Sequence, residues 1–110
     1  MRAPAPLFVD TFSLCEWLLQ HLDQKPGTLP RALCDNALQL LEVVALALKN
    51  RRREARLDEA DERLIVLRTQ LRLAGATRLL TDSQMLFALE CADRIGRQLG
   101  GWQRTLDVAS

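Results

Sequence analysis

Two stretches of this chain repeat one spacing. Leu57, Ala60, Leu64, Leu67, Leu71 and Ala74 recur at intervals of 3, 4, 3, 4 and 3. Met85, Ala88, Ala92, Ile95, Leu99 and Trp102 repeat the same intervals. Such alternation lines apolar side chains along one seam of an α-helix, whereas a strand needs a period of two. A seam of this kind has to be covered by other helices, in the packing of a left-handed bundle. Five Gly, four Pro, three Phe, two Trp and no Tyr are too few turn and aromatic residues for a sandwich or barrel. At 110 residues the chain has room for one domain.

Breaks along the chain divide it into four helices. Residues 1–10, with Pro4 and Pro6, read as an irregular lead-in. Asp10 or Thr11 caps a first helix over 11–23, and Pro26-Gly27 ends that region. Thr28 caps a second helix over 29–50, with Pro30 in its first turn, where a missing N–H costs nothing. The third helix covers 54–78. Its first half is acidic and its second half basic, which suits the helix dipole at the acidic end. Thr81-Asp82-Ser83 caps a fourth helix that thins at Gly100-Gly101, so the bundle spans 11–105 and 106–110 is a tail. Short loops between four helices predict an all-α, up-down-up-down four-helix bundle.

Helix two carries a second message. Between Ala37 and Leu48 only Gln39 and Glu42 are polar, and Asp35, Gln39, Glu42 and Lys49 lie near one stripe. A surface helix buries a stripe of roughly 100°. A helix apolar around most of its girth needs cover on two sides, which predicts an oligomer with Val43, Val44 and Leu46 at its interface. The same stretch is too short to span a bilayer.

Little chemistry is available to an enzyme. The one histidine, His21, lacks the Glu-x-x-His partner that a di-metal bundle requires. There is no phosphate-binding glycine loop. Cys15, Cys34 and Cys91 form no Cys-x-x-Cys pair. No catalytic residue, metal or cofactor is expected. Reduced, buried thiols and a start, MRAPAPLF, without a leader's apolar core fit the cytoplasm.

What remains is arginine. Lys and Arg total 15 against 14 Asp and Glu, for a net charge of +1, which excludes an all-over basic field but not local patches. Arg51, Arg52, Arg53 and Arg56 form one cluster, and Arg68 and Arg72 lie at i, i+4. Arg94 and Arg97 lie at i, i+3, and Glu54, Asp58, Glu90 and Asp93 are within pairing range of these groups. Arginine suits phosphate and carboxylate through planar two-point contacts.

Three segments resemble one family. They are Thr28-Leu29-Pro30-Arg31 with Asn36 to Glu42, the stretch Leu67-Arg68-Thr69-Gln70-Leu71-Arg72-Leu73-Ala74, and Ile95-Gly96-Arg97-Gln98-Leu99-Gly100-Gly101-Trp102. Together they resemble the accessory variability proteins of diversity-generating retroelements, over roughly residues 12–104. The resemblance implies a ring-like homopentamer of four-helix bundles. It also implies a non-catalytic role in mutagenic retrohoming, with the element's reverse transcriptase and RNA or DNA as partners. Arg68, Arg72, Arg78 and Arg97 match basic positions of the family pattern. Two other readings fit the same bundle: a relative of the proteins encoded in ribosomal RNA intervening sequences, and an interaction bundle that binds no nucleic acid.

Overall fold

The computed structural model describes residues 5–109. Four helices and no strand occur among them: α1 (Pro6–Leu22), α2 (Thr28–Leu48), α3 (Arg53–Ala76) and α4 (Asp82–Ala109). Each helix packs on two neighbours, in the closed order α1, α2, α3, α4 and back to α1. Contacts between helices fix their directions. Asp10 meets Gln98 while Trp17 meets Phe87, so α1 and α4 run antiparallel. Asp58 meets Gln103 while Arg68 meets Asp93, which makes α3 and α4 antiparallel as well.

The predicted seams form the core. All six seam residues of α3 are buried, as are Ala88, Ala92, Ile95 and Leu99 of α4. Met85 and Trp102 are half-buried at the two ends of that seam. Leucine dominates the interior, with Leu18, Leu22, Leu33, Leu57, Leu67 and Leu71 fully enclosed. Burying a leucine side chain is worth about 1.5–3 kcal/mol, so this layer supplies most of the drive to fold.

Thr28 is the first residue of α2 and makes no capping bond, α2 and α3 each end two residues short of expectation, and the larger differences are at the start of α1 and the end of α4. α1 begins at Pro6, not at residue 11, because Pro at the first helical position sacrifices no hydrogen bond. Thr11 is therefore buried inside the helix, where its hydroxyl donates to the Leu7 carbonyl at 2.7 Å. The part of the expected lead-in at 1–4 lies outside the described residues. α4 continues through Gly100-Gly101 and past residue 105 to Ala109, so the glycines do not end it. Its start matches the reading closely. The Thr81 hydroxyl accepts from Gln84 N–H at 3.1 Å and the Gln84 side-chain Oε1 accepts from Thr81 N–H at 3.0 Å, a reciprocal cap. Gly27, with φ of 124°, turns the chain into α2 through a conformation that other residues rarely adopt.

Between α2 and α3 the packing is partly polar. Asn36 is buried, and its amide donates to the Arg63 carbonyl at 3.1 Å and to Gln70 Oε1 at 3.3 Å. These bonds satisfy a group that would otherwise oppose burial.

Candidate functional site

The arginines fall on two surfaces at different places on the bundle. The first is the seam between α3 and α4. Arg68 and Arg97 line an open groove of about 370 Å³ there, with Asp61, Leu64, Ile65, Asp93 and Gly96. Arg72 and Arg78 line an adjoining depression beside Met85 and Leu89. The four arginines on family-like positions thus share one side of the molecule.

Within this groove charge is mixed. Arg68 Nη2 lies 2.8 Å from Asp93 Oδ1, a close ion pair between helices. Its Nε is buried and has no partner among the described residues. Gly96 makes the arrangement possible, because a Cβ there would sit 2.9 Å from Arg68 Nη2 and 3.4 Å from Leu64 Cδ2. Arg78 pairs at 3.5 Å with Asp82, and both are exposed. Among the described residues neither Arg72 nor Arg97 has a carboxylate within 4.0 Å. Exposed Ile65 and Leu86 add apolar surface beside these charges.

The second surface is the connection from α2 to α3, at the opposite end of α3 from Arg78. Its arginines do not act alike. Arg53 turns inward: its Nε donates to the Ala47 carbonyl at 2.9 Å and its Nη2 to Leu48 at 3.4 Å. The same guanidinium stacks over the Trp102 ring, 4.9 Å from its centre. Arg53 therefore ties the last carbonyls of α2 to α4, a structural duty rather than a free contact. Half-buried Arg56 points at Glu59, 3.8 Å away. Only Arg51 and Arg52 of the cluster are exposed, next to exposed Lys49.

The three residues expected at an oligomer interface separate. Val43 and Val44 are buried against the chain's own helices, at 5% and 0% exposure, so they are core and not outer surface. Leu46 keeps 39% of its surface open. The α2 stripe facing outward is the polar one, and the larger exposed apolar side chains lie on other helices: Ile65 and Leu73 on α3, Leu86 on α4.

No group of three or more His, Cys, Asp or Glu side chains among the described residues is placed to hold a metal. His21 instead stacks on Trp17 at 4.1 Å, and its Nδ1 bonds the Trp17 carbonyl. Burial pushes the thiols of Cys15, Cys34 and Cys91 above their ordinary range, so all three stay protonated and poorly nucleophilic. No helix among the described residues is long and apolar enough to cross a membrane.

Sequence reasoning placed Asp93 within pairing range of the arginines but did not assign it to Arg68, because that pair joins two helices and spacing within one helix cannot reveal it. Asp61 and Gly96 were missed as groove residues for the same reason. The antiparallel register of the two seams was the signal available.

These features define a class: a small antiparallel helical bundle whose surface groups are arginines held against carboxylates. The chain belongs to the bAvd-like family, whose model matches residues 10–106. The family is that of the Bordetella accessory variability determinant, an accessory, non-catalytic protein of diversity-generating retroelements. No curated protein and no solved structure matches the chain.

Proposed function

We propose that this protein is the accessory subunit of a diversity-generating retroelement, binding the element's reverse transcriptase and its template RNA or cDNA during mutagenic retrohoming. The family match over residues 10–106 carries this reading. The protein acts without catalysis of its own, as a ring-like homo-oligomer in the cytoplasm, and a pentamer is the state the resemblance implies. The groove between α3 and α4 is the surface for the polymerase. It combines Arg68 and Arg97 with the carboxylates Asp61 and Asp93 and with exposed Ile65, and Arg72 lies in the adjoining depression, the mixture that protein interfaces use. Of the three residues expected at the interface, Leu46 is still open to a neighbouring subunit, and Leu38 on the same helix is equally exposed.

Co-expression with the reverse transcriptase encoded beside the gene tests the reading. The two proteins are expected to co-purify, and Arg68→Ala with Arg97→Ala is expected to weaken the complex. A polymerase that never co-purifies with the wild-type chain refutes it. Light scattering tests the ring, and a species of 12.4 kDa at micromolar concentration would contradict it.

A further inference from the structure

Charge is concentrated in one short segment. Residues 49–56, Lys-Asn-Arg-Arg-Arg-Glu-Ala-Arg, carry five cations and one acid, while elsewhere 13 acids face 10 bases. The whole excess of positive charge therefore sits at the connection between α2 and α3. Lys49, Arg51 and Arg52 are exposed, and among the described residues none has a carboxylate within 4.0 Å. The α3–α4 side also carries Arg72 and Arg97 without a carboxylate within 4.0 Å, but there Asp93 pairs with Arg68 and Asp61 and Asp93 line the same groove, so its charge is mixed.

The segment is also held in place. Arg51 N–H bonds the Leu46 carbonyl at 3.0 Å and Asn50 N–H bonds Ala47 at 3.0 Å, which closes the end of α2. Arg53 binds the same helix end from the other side. The three free cations thus stand on a fixed base at one end of the bundle.

We infer that this tip binds the sugar–phosphate backbone of a nucleic acid, and that phosphate contact lies here rather than in the α3–α4 groove. The inference rests on the nucleic-acid half of the proposed function and divides its two partners between two surfaces. Protein interfaces need apolar or aromatic anchors at their centre. Residues 49–52 offer none, so an acidic protein would gain little beyond charge. A polyphosphate needs only closely spaced cations. Trp102, the aromatic at this end, is half-buried beneath Arg53, and Arg51 and Arg52 sit on a helix connection and not on a helix face that could enter a groove, so the tip reads backbone and not sequence.

The test uses the purified full chain with a fluorescent duplex and a single strand, titrated at several salt concentrations. Arg51→Ala and Arg52→Gly are both at exposed positions. Glycine accepts the φ of 51° that Arg52 adopts, so the second variant leaves the fold intact. Each is expected to lower affinity and to reduce the salt slope by about one, for both DNAs and irrespective of sequence. Arg68→Ala with Arg97→Ala is expected to spare the nucleic acid and weaken the polymerase.

Unchanged affinity and slope in the tip variants, with loss in the groove variant, overturns this inference and leaves the proposed function standing. Absence of binding by the wild-type chain to either DNA at low salt overturns the inference, and co-purification then decides on the polymerase alone. A polyglutamate chain that competes as well as DNA of equal charge also overturns it, because the tip then selects charge and not phosphate.

Discussion

Arg53 offers the sharpest test of how the bundle end is held. Replacing it with Ala removes three contacts at once. The bond from Nε to the Ala47 carbonyl, at 2.9 Å, has ideal length. That from Nη2 to Leu48, at 3.4 Å, lies beyond the usual range and adds little. A hydrogen bond from a charged donor is worth about 1.5–3 kcal/mol, and a half-buried arginine belongs at the low end. Stacking over Trp102 adds about 0.5–1 kcal/mol. The total loss is about 2 kcal/mol, or roughly 8 °C in melting temperature for a chain of this size.

Urea denaturation followed by circular dichroism measures the loss, with Trp102 fluorescence as a local probe. Protein concentration has to be held fixed, because association shifts apparent stability. Arg51→Ala is the control, expected within about 0.5 kcal/mol of wild type as an exposed position. Arg53→Lys keeps the charge but cannot reproduce the planar fork, so it should recover less than half of the loss. If Arg53→Ala and Arg51→Ala prove equally stable, the inward role of Arg53 is wrong.

Other consequences are simpler to state. Thr81→Ala removes one half of the reciprocal cap on α4 and should cost about 1 kcal/mol by denaturant midpoint. Gly96→Val drives a branched side chain into Leu64 and Arg68 and should cost about 1–3 kcal/mol. Gly100→Ala meets only the flexible end of Arg104, at 3.4 Å, so it should stabilise by up to about 1 kcal/mol. Because burial raises the thiol pKa values in the folded state, the unfolded chain ionises first. Stability is thus full below the ordinary thiol value of 9.0 and should fall as pH rises above it, and Cys→Ser variants should flatten that decline. Val44→Asp should abolish helicity, whereas Leu46→Asp should stay folded and reduce particle size in light scattering.

Much of the fold was legible because α3 and α4 carry strict seams. Every seam position of α3 reached the core, since one wrong residue in a 3–4 alternation would expose a leucine. Helix α2 was harder. With apolar residues nearly all round, the girth alone does not tell inside from outside. The polar stripe does. At 100° per residue Val44 lies 200° from Glu42, opposite the stripe and therefore inside, while Leu46 lies 40° from it. Counting apolar residues suggested a second buried face, whereas measuring angles from Glu42 gives the observed one. The start of α1 was misplaced for a similar reason. Asp10 is a good capping residue, but Pro6 fits the first turn equally well and lets Leu7 reach the core.

The candidate site was legible as residue types and not as roles. Arg51, Arg52 and Arg53 are identical neighbours in the sequence. Their separation depends on tertiary placement, because the last carbonyls of α2 and the Trp102 ring of α4 together hold Arg53 inward. The same holds for Arg68, fixed by Asp93 from 25 positions away. Near-neutral net charge therefore says little about anion binding in this chain. Asp93 and Asp82 pair with Arg68 and Arg78 on the α3–α4 side and leave Arg72 and Arg97 dispersed among carboxylates, so the clustered cations at residues 49–52 stand out against an acidic remainder. An anion approaching the molecule meets attraction mainly at that end, and screening confines the pull to about 10 Å at moderate salt. Any polyanion bound by this chain would thus be held at the bundle's end and not along its side.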